Sequence, residues 1–67
     1  MINNININSE WVNIKNGKTY TILKHTLVKI DGIWLDGILY TTNDSELLFV
    51  RSKEDFLLKF KEKISST

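Results

Sequence analysis

The sequence predicts a small, mainly β domain in which four to five short antiparallel strands are followed by a C-terminal α-helix at about residues 53–64. Three observations support this fold class. Apolar and β-branched runs of strand length alternate with tight-turn signals at Asn16-Gly17 and Asp31-Gly32. Gly37 interrupts the third run, where a strand is expected to bulge or bend sharply. An amphipathic segment that begins at a capping residue, Ser52, follows the last run.

The expected strands follow one another with short connections. Asn-Gly and Asp-Gly pairs tolerate the positive φ angles of tight hairpins. The small polar residues 41–45 are typical of a turn, because Asn, Asp and Ser bond their own backbone. Residues 1–8 alternate only in part and are expected to form an edge strand or a loosely held segment. The strands are expected at residues 9–14, 18–25 with an extended continuation over 26–30, 33–40 and 47–50.

A helix is expected to begin directly after Ser52. The hydroxyl of Ser52 can accept a backbone N–H of the first turn, and Asp55 stands three residues on, close to a capping box. Because a helix this short is not stable alone in water, it is expected to dock on the sheet. Its apolar stripe consists of Phe56, Leu57, Phe60 and Ile64.

Several short strands and one strongly bent strand favour closure of the sheet, since closure removes the edges that would otherwise template aggregation. An SH3-like barrel with a C-terminal helix is therefore the predicted architecture. The alternative is a flat sheet of three or four strands with the helix across one face. With no proline and only three glycines, nothing in the sequence marks a linker, so residues 1–67 are expected to form a single domain.

Composition narrows the function classes. A chain of 67 residues has a marginal core, and this one has no cysteine for a disulfide and one histidine, which argues against a structural zinc. Self-association or docking on a larger partner would supply the stability that such a core lacks. The net charge of +1 creates no overall field that would attract nucleic acid or a membrane.

The sequence also gives expectations about location and origin. It contains no apolar run of membrane-spanning length and no recognisable signal peptide, so a cytoplasmic location without membrane contact is expected. Its richness in Asn, Ile and Lys indicates an AT-rich genome, such as that of a phage or a low-GC bacterium.

Several short segments resemble a small bacterial and phage domain of unknown function that has an SH3-like barrel. They comprise a Lys-Asn-Gly-Lys turn before a Tyr strand, where that family has a Lys-Gly turn, a segment with histidine, an apolar strand ending in Tyr, and a Val-Arg strand end before a Phe. These are residues 15–20, His25-Thr26, residues 38–40, residues 49–52 and Phe56. The resemblance covers about residues 11–62, although Ser52 stands where that family usually has proline and the segment 27–36 is longer. Because the family has no settled activity, the resemblance implies a fold and no particular function.

Candidate binding residues are aromatic and basic side chains expected on the sheet. Trp34 follows a turn, and its neighbours Ile33 and Leu35 can fill the inner face, so Trp34 is expected to be exposed and to anchor a partner. Arg51 could hold a phosphate or carboxylate with its planar guanidinium, or it could bond the acids of the helix. The candidate partner-binding residues are Trp34, Tyr40, Tyr20, His25, Arg51, Lys18 and Lys24.

No catalytic residue, metal ligand or cofactor is predicted. His25 would need a nucleophile or an oriented carboxylate to act as a general base, and its spacing from Asp31 and Asp36 matches no catalytic pattern. No glycine-rich phosphate loop or nucleophile elbow is present in the sequence. The chain is therefore not expected to be an enzyme.

The sequence thus predicts a small non-enzymatic protein–protein binding module, for which a phage-encoded modulator or inhibitor of a host protein is one role. The alternative is a nucleic-acid-binding barrel, in which lysines of the sheet surround the stacking rings of Tyr20 and Trp34. The small net charge favours the simpler interpretation of those lysines as a solvated face. They are Lys15, Lys18, Lys24 and Lys29.

Overall fold

The chain forms one five-stranded antiparallel sheet with one short helix, as the sequence predicts for the mainly β class. The computed structural model describes residues 5–63. The elements are β1 (Glu10–Asn13), β2 (Thr19–Ile30), β3 (Ile33–Thr41), β4 (Phe49–Ser52), α1 (Lys53–Lys59) and β5 (Phe60–Glu62). The strand order in the sheet is β4-β3-β2-β1-β5, so α1 connects the two edge strands.

Both predicted hairpins are confirmed, but their connections differ in length. Asp31 and Gly32 have φ values of 52° and 79° and join β2 to β3, as expected for a two-residue turn of the type I′ class. The connection between β1 and β2 spans residues 14–18, and Gly17 has a φ of 73° there. The longer loop forms because Asn13 Oδ1 accepts the backbone N–H groups of Lys15 and Asn16.

A bulge lies in β2, and Gly37, where the sequence predicts a bulge or a sharp bend, does not interrupt the pairing of β2 with β3. Pairing of β2 with β3 shifts by one residue between Ile22 and Lys24, which leaves Leu23 without a partner in β3, whereas Gly37 pairs in register with Thr26. A Cβ on Gly37 would lie 3.3 Å from the carbonyl oxygen of Arg51 and from side-chain carbons of Thr26 and Val28. Glycine therefore allows close approach of neighbouring strands at this position.

Helix α1 begins as predicted and ends earlier than predicted. The hydroxyl of Ser52 accepts the backbone N–H of Asp55 at 3.2 Å. The helix ends at Lys59 and not near residue 64, because Phe60 is extended and starts β5. Strand β5 pairs with the free side of β1. The backbone hydrogen bonds of this pairing decide the conformation from Phe60 onward, although the apolar residues there have helical spacing. Ile64 lies outside the described residues.

Strand β4 starts two residues later than predicted. Leu47 and Leu48, expected in this strand, lie in the preceding connection and are exposed. Side-chain hydrogen bonds hold this connection: Thr41 Oγ1 donates to the carbonyl of Leu47, and Ser45 Oγ accepts the Leu47 N–H. These bonds replace strand pairing locally.

Residues 5–8 are neither a strand nor loosely held, in contrast to the expectation for residues 1–8. Ile5 is buried at 3% exposure and belongs to the core. The Asn8 N–H donates to the carbonyl of Ile22, and the Ile22 N–H donates to the carbonyl of Ser9. This segment therefore covers β2 near its bulge; residues 1–4 of the expected segment lie outside the described residues.

The core is an aromatic cluster. Six of the seven aromatic residues of the chain contact one another, with ring centroids between 4.2 and 6.0 Å apart. They are Trp11, Tyr20, Tyr40, Phe49, Phe56 and Phe60. The rings of Phe56 and Phe60 stack at 4.2 Å and come from α1 and the start of β5. The prediction that the helix docks on the sheet is confirmed, because Phe56 is fully buried there.

Replacing Phe56 by Ala is expected to unfold the domain or to lower its free energy of unfolding by about 3–5 kcal/mol, because the ring is fully buried among other rings. Leu58→Ala is the matched control, since Leu58 lies on the same helix and is 76% exposed, and its effect should stay within about 0.5 kcal/mol. Urea denaturation followed by circular dichroism measures both. Similar losses in the two variants would contradict the docking of α1.

Candidate interaction surface

The hairpin formed by β2 and β3 extends beyond the rest of the sheet. Strand β1 pairs with β2 only at residues 19–21, and β4 pairs with β3 only at residues 37–40. The paired residues from Leu27↔Asp36 to Ile30↔Ile33 therefore have no strand beside them in the described part of the chain. We call residues 27–36 the hairpin arm.

The inner face of the arm is the face that continues the core side of the sheet. Side chains alternate along a strand, and directly opposed residues share a face. The residues Trp34 and Asp36 therefore share a face with the buried Ile38 and Tyr40. Their cross-strand partners complete this face, which we define as Leu27, Lys29, Trp34 and Asp36.

Two large apolar side chains of the inner face are exposed to solvent. Leu27 is 60% exposed and Trp34 is 62% exposed. The ammonium of Lys29 lies 5.7 Å from the ring centroid of Trp34, so one side of the ring contacts a cation. Trp34 is the one aromatic residue that takes no part in the core cluster.

The outer face of the arm, which we define as Val28, Ile30, Ile33 and Leu35, is entirely aliphatic. These residues form two cross-strand pairs, Val28 with Leu35 and Ile30 with Ile33. Ile33 is 61% exposed and Ile30 is 44% exposed. Exposed aliphatic side chains that lie next to one another on one face of a hairpin are typical of an interaction site.

Among the predicted aromatic contacts, Trp34 is exposed as expected, and the two tyrosines are not. Tyr20 and Tyr40 are 8% and 4% exposed and pack edge to face at 5.4 Å within the core. Neither ring is therefore exposed for contact with a partner in this structure. A core this small needs its large rings, and the alternation of β3 puts Tyr40 beside Ile38 under the helix.

The structure does not bring the predicted basic residues together with Trp34 as a group. Lys18 lies near Asp44, with Nζ and Oδ2 3.9 Å apart, on the loop at the opposite end of β2. Lys24 is exposed and pairs with Leu39, which places it on the outer face of the sheet. His25 is on the inner face, and its Nε2 lies 2.6 Å from the carbonyl oxygen of Ile5. His25 thus anchors the segment before β1.

The guanidinium of Arg51 bonds to side chains of this chain. Such a structural role is the alternative that the sequence leaves open to binding a phosphate or carboxylate. Its Nε donates to the hydroxyl of Tyr40 at 2.9 Å, and its Nη1 contacts Asp55 Oδ2 at 2.6 Å. The hydrogen bond between Arg51 and Asp55 holds the pKa of the Asp55 carboxyl below its usual value. The same bond raises the pKa of the Arg51 guanidinium. Burial raises the pKa of the Tyr40 hydroxyl. Arg51 therefore links β4, β3 and α1.

Two further findings concern chemistry and membranes. Within residues 5–63, no group of three or more His, Cys, Asp or Glu side chains is placed to hold a metal ion, and no pocket is present. The one helix of this part of the chain has seven residues, too few to cross a bilayer.

Sequence reasoning identified Trp34 but missed the aliphatic residues beside it. Leu27, Ile30 and Ile33 are more than 40% exposed, although such residues in strands are normally assigned to a core. The signal was present in the strand lengths. Twelve and nine residues around a two-residue turn make a hairpin longer than a domain of this size can cover.

Comparison with known proteins finds no family model, no curated protein and no solved structure that matches the chain. The resemblance to a bacterial and phage domain with an SH3-like barrel stays a prediction.

Replacing Asp55 by Asn is expected to weaken the acid dependence of stability. Because its folded pKa is lowered, the ionised carboxyl stabilises the fold fully above the unfolded pKa of about 3.9, and this contribution is lost as the pH falls through the folded pKa. Thermal melts from about pH 6 to pH 2 should therefore show a smaller loss of melting temperature for Asp55→Asn than for the wild type.

Glu54→Gln is the control for this experiment. Glu54 lies in the same helical turn, and within residues 5–63 it forms no ion pair. Its removal also weakens the interaction of the first turn with the helix dipole, so the difference between the two variants reports on the contacts of the Asp55 carboxylate with Arg51 and Lys59. Equal slopes for the two variants would show that these contacts do not control the acid response.

Proposed function

We propose that the chain is a non-enzymatic protein-binding module that docks through the hairpin arm. The observation that carries this proposal is the arm itself: it projects past its neighbouring strands and exposes Leu27, Ile30, Ile33 and Trp34. Burying one such side chain in an interface contributes about 1.5–3 kcal/mol. Leu27 and Trp34 lie on the inner face and Ile30 and Ile33 on the outer face, so each face offers two such side chains to a partner.

The rest of the molecule supports this assignment, because the arm contributes no buried side chain to the core. The core cluster is drawn from the other end of the sheet and from α1, and the buried aliphatic residues are Ile5, Ile22 and Ile38. Ordering the backbone of the ten arm residues costs a conformational free energy of about 1–2 kcal/mol for each residue. A hairpin that carries this cost but buries few side chains is expected where binding to a partner offsets the cost.

We also infer that the sheet curls into a partly open SH3-like barrel. Three observations support this inference. The order β4-β3-β2-β1-β5 places β2 at the centre, the bulge at Leu23 allows β2 to bend between its two neighbours, and α1 joins the two edges. The arm is then an extension of the β2–β3 hairpin beyond the barrel. The predicted phage origin and host-protein target stay predictions.

A nucleic-acid-binding barrel is the second candidate, and one observation favours it. Trp34 is an exposed ring with the ammonium of Lys29 beside it, a combination that also stacks on bases and contacts phosphates. Against it, Tyr20 is buried and cannot extend a stacking platform. Asp31 and Asp36 also place acids on the arm, which reduces the attraction of a phosphate backbone.

The docking proposal predicts that substitutions on the arm abolish partner capture without changing the fold. Ile33→Thr combined with Trp34→Thr places a β-branched strand former at both positions and removes apolar surface from both faces. Leu58→Thr is the matched control, because it removes an exposed apolar side chain from α1. Quantitative mass spectrometry compares proteins captured from a lysate of the source cells by the three chains.

The expected result is a set of proteins retained by the wild type and by Leu58→Thr and lost from the arm variant. Unchanged thermal melts show that the arm variant remains folded. The same proteins captured by all three chains would contradict docking through the arm.

Binding of single-stranded oligonucleotides separates the two candidate functions. The docking proposal expects no change in fluorescence anisotropy of labelled single-stranded DNA or RNA, even at low salt. Binding that weakens steeply with salt and is lost in Lys29→Glu would instead support the nucleic-acid candidate.

A further inference from the structure

We propose that the inner face of the hairpin arm binds the inner face of a second copy of this chain. This inference rests on the proposed function in that it treats the arm as an interaction surface. It goes further by naming the occupant of one face. The argument depends on how the four residues of that face are arranged.

The four side chains stand at the corners of a near-square patch. The directly opposed pairs are Leu27 with Asp36 and Lys29 with Trp34. The apolar side chains Leu27 and Trp34 therefore occupy one diagonal, and the charged side chains Lys29 and Asp36 occupy the other. Opposed residues are about 5 Å apart, and the rise per residue puts alternate residues of a strand about 7 Å apart.

This arrangement is complementary to itself. A twofold axis along the apolar diagonal, between two facing arms, places Trp34 against its own copy and Leu27 against its own copy. The same rotation exchanges the corners of the other diagonal, so each Lys29 meets Asp36 of the second chain. The strands of the two arms then cross at a steep angle, close to the orthogonal class of sheet packing.

The charges on the patch are available for such a contact. Within residues 5–63 neither Lys29 nor Asp36 takes part in an ion pair. Both are exposed, and each stands beside an exposed apolar side chain. Opposite charges that flank apolar contacts are typical of an interface whose orientation is set by electrostatic complementarity.

The outer face has no feature that would favour a second copy of this chain over other partners. Its four side chains are aliphatic, so they provide apolar area without a charge pattern that would fix an orientation. The contact of two inner faces leaves the outer face open. One chain can therefore self-associate through the inner face while the outer face meets another partner.

The interface is small, so the dimer is expected to be weak. Stable complexes bury about 800 Å² on each partner, which is more than four side chains supply. The association is then in rapid exchange, and experiments need protein concentrations on the order of hundreds of micromolar. Its charge pairs also make it sensitive to salt.

Charge reversal provides the test, read by sedimentation velocity. Lys29→Asp leaves two acids on the patch, and Asp36→Lys leaves two lysines. Each variant alone is expected to associate at least about tenfold more weakly than the wild type, because like charges then face each other twice in every dimer. An equimolar mixture of the two variants should associate again, since acids of one chain meet lysines of the other.

Two further variants make the test specific. The double variant Lys29→Asp with Asp36→Lys restores opposite charges on one chain and is expected to self-associate like the wild type. Ile33→Thr changes the outer face and is expected to leave self-association unchanged. Thermal melts confirm that all variants are folded. Association in the mixture of the two single variants can arise only from contact between chains, because charges that act within one chain would not be restored by mixing.

Three outcomes would overturn the proposal: a wild-type chain that stays monomeric at these concentrations, a variant mixture that does not associate, or an equal loss of association in Ile33→Thr. These three outcomes do not test the proposed function, which is docking of a partner protein through the arm. Capture of a partner by a monomeric chain would leave docking through the arm intact, and self-association without capture would leave only the second copy as an occupant.

Discussion

The stacking of Phe56 on Phe60 holds this small fold together. The chain has no cysteine and one histidine, so neither a disulfide nor a zinc site replaces apolar burial. The two rings stack at 4.2 Å, and both also contact Tyr40. Because Phe56 belongs to α1 and Phe60 to β5, one contact fixes both the helix on the sheet and the strand that covers β1.

The position of this core determines which part of the sheet has no other element packed on it. Rings of the cluster come from β1, from the ends of β2 and β3 that β1 and β4 flank, and from the helix side. From Ile33 to Asp36, no side chain of β3 is buried. The remaining residues of the hairpin stay extended through their type I′ turn and cross-strand pairs alone. The arm is thus a consequence of two strands that are longer than the core beneath them.

Local signals predicted local structure, and tertiary pairing decided the rest. The Asp31-Gly32 turn and the Ser52 cap depend on a few neighbouring residues, and both formed as expected. The end of α1 depends on the free edge of β1, which is distant in sequence, so helical spacing around Phe60 was misleading. The exposure of Trp34 followed from its turn. The burial of Tyr20 and Tyr40 depends on which face the helix covers.

Two groups of charged residues differ in their surroundings, one bonded within the fold and one exposed on the hairpin arm. Arg51 is bonded on two sides, through Nε to Tyr40 and through Nη1 to Asp55, so its guanidinium is held within the fold. The charges of the arm, Lys29 and Asp36, stand instead beside exposed apolar groups. Apolar area without charges would bind many proteins weakly, since it selects neither orientation nor partner. In the proposed docking through the arm, the two charges are consequently the feature that would distinguish one occupant from another.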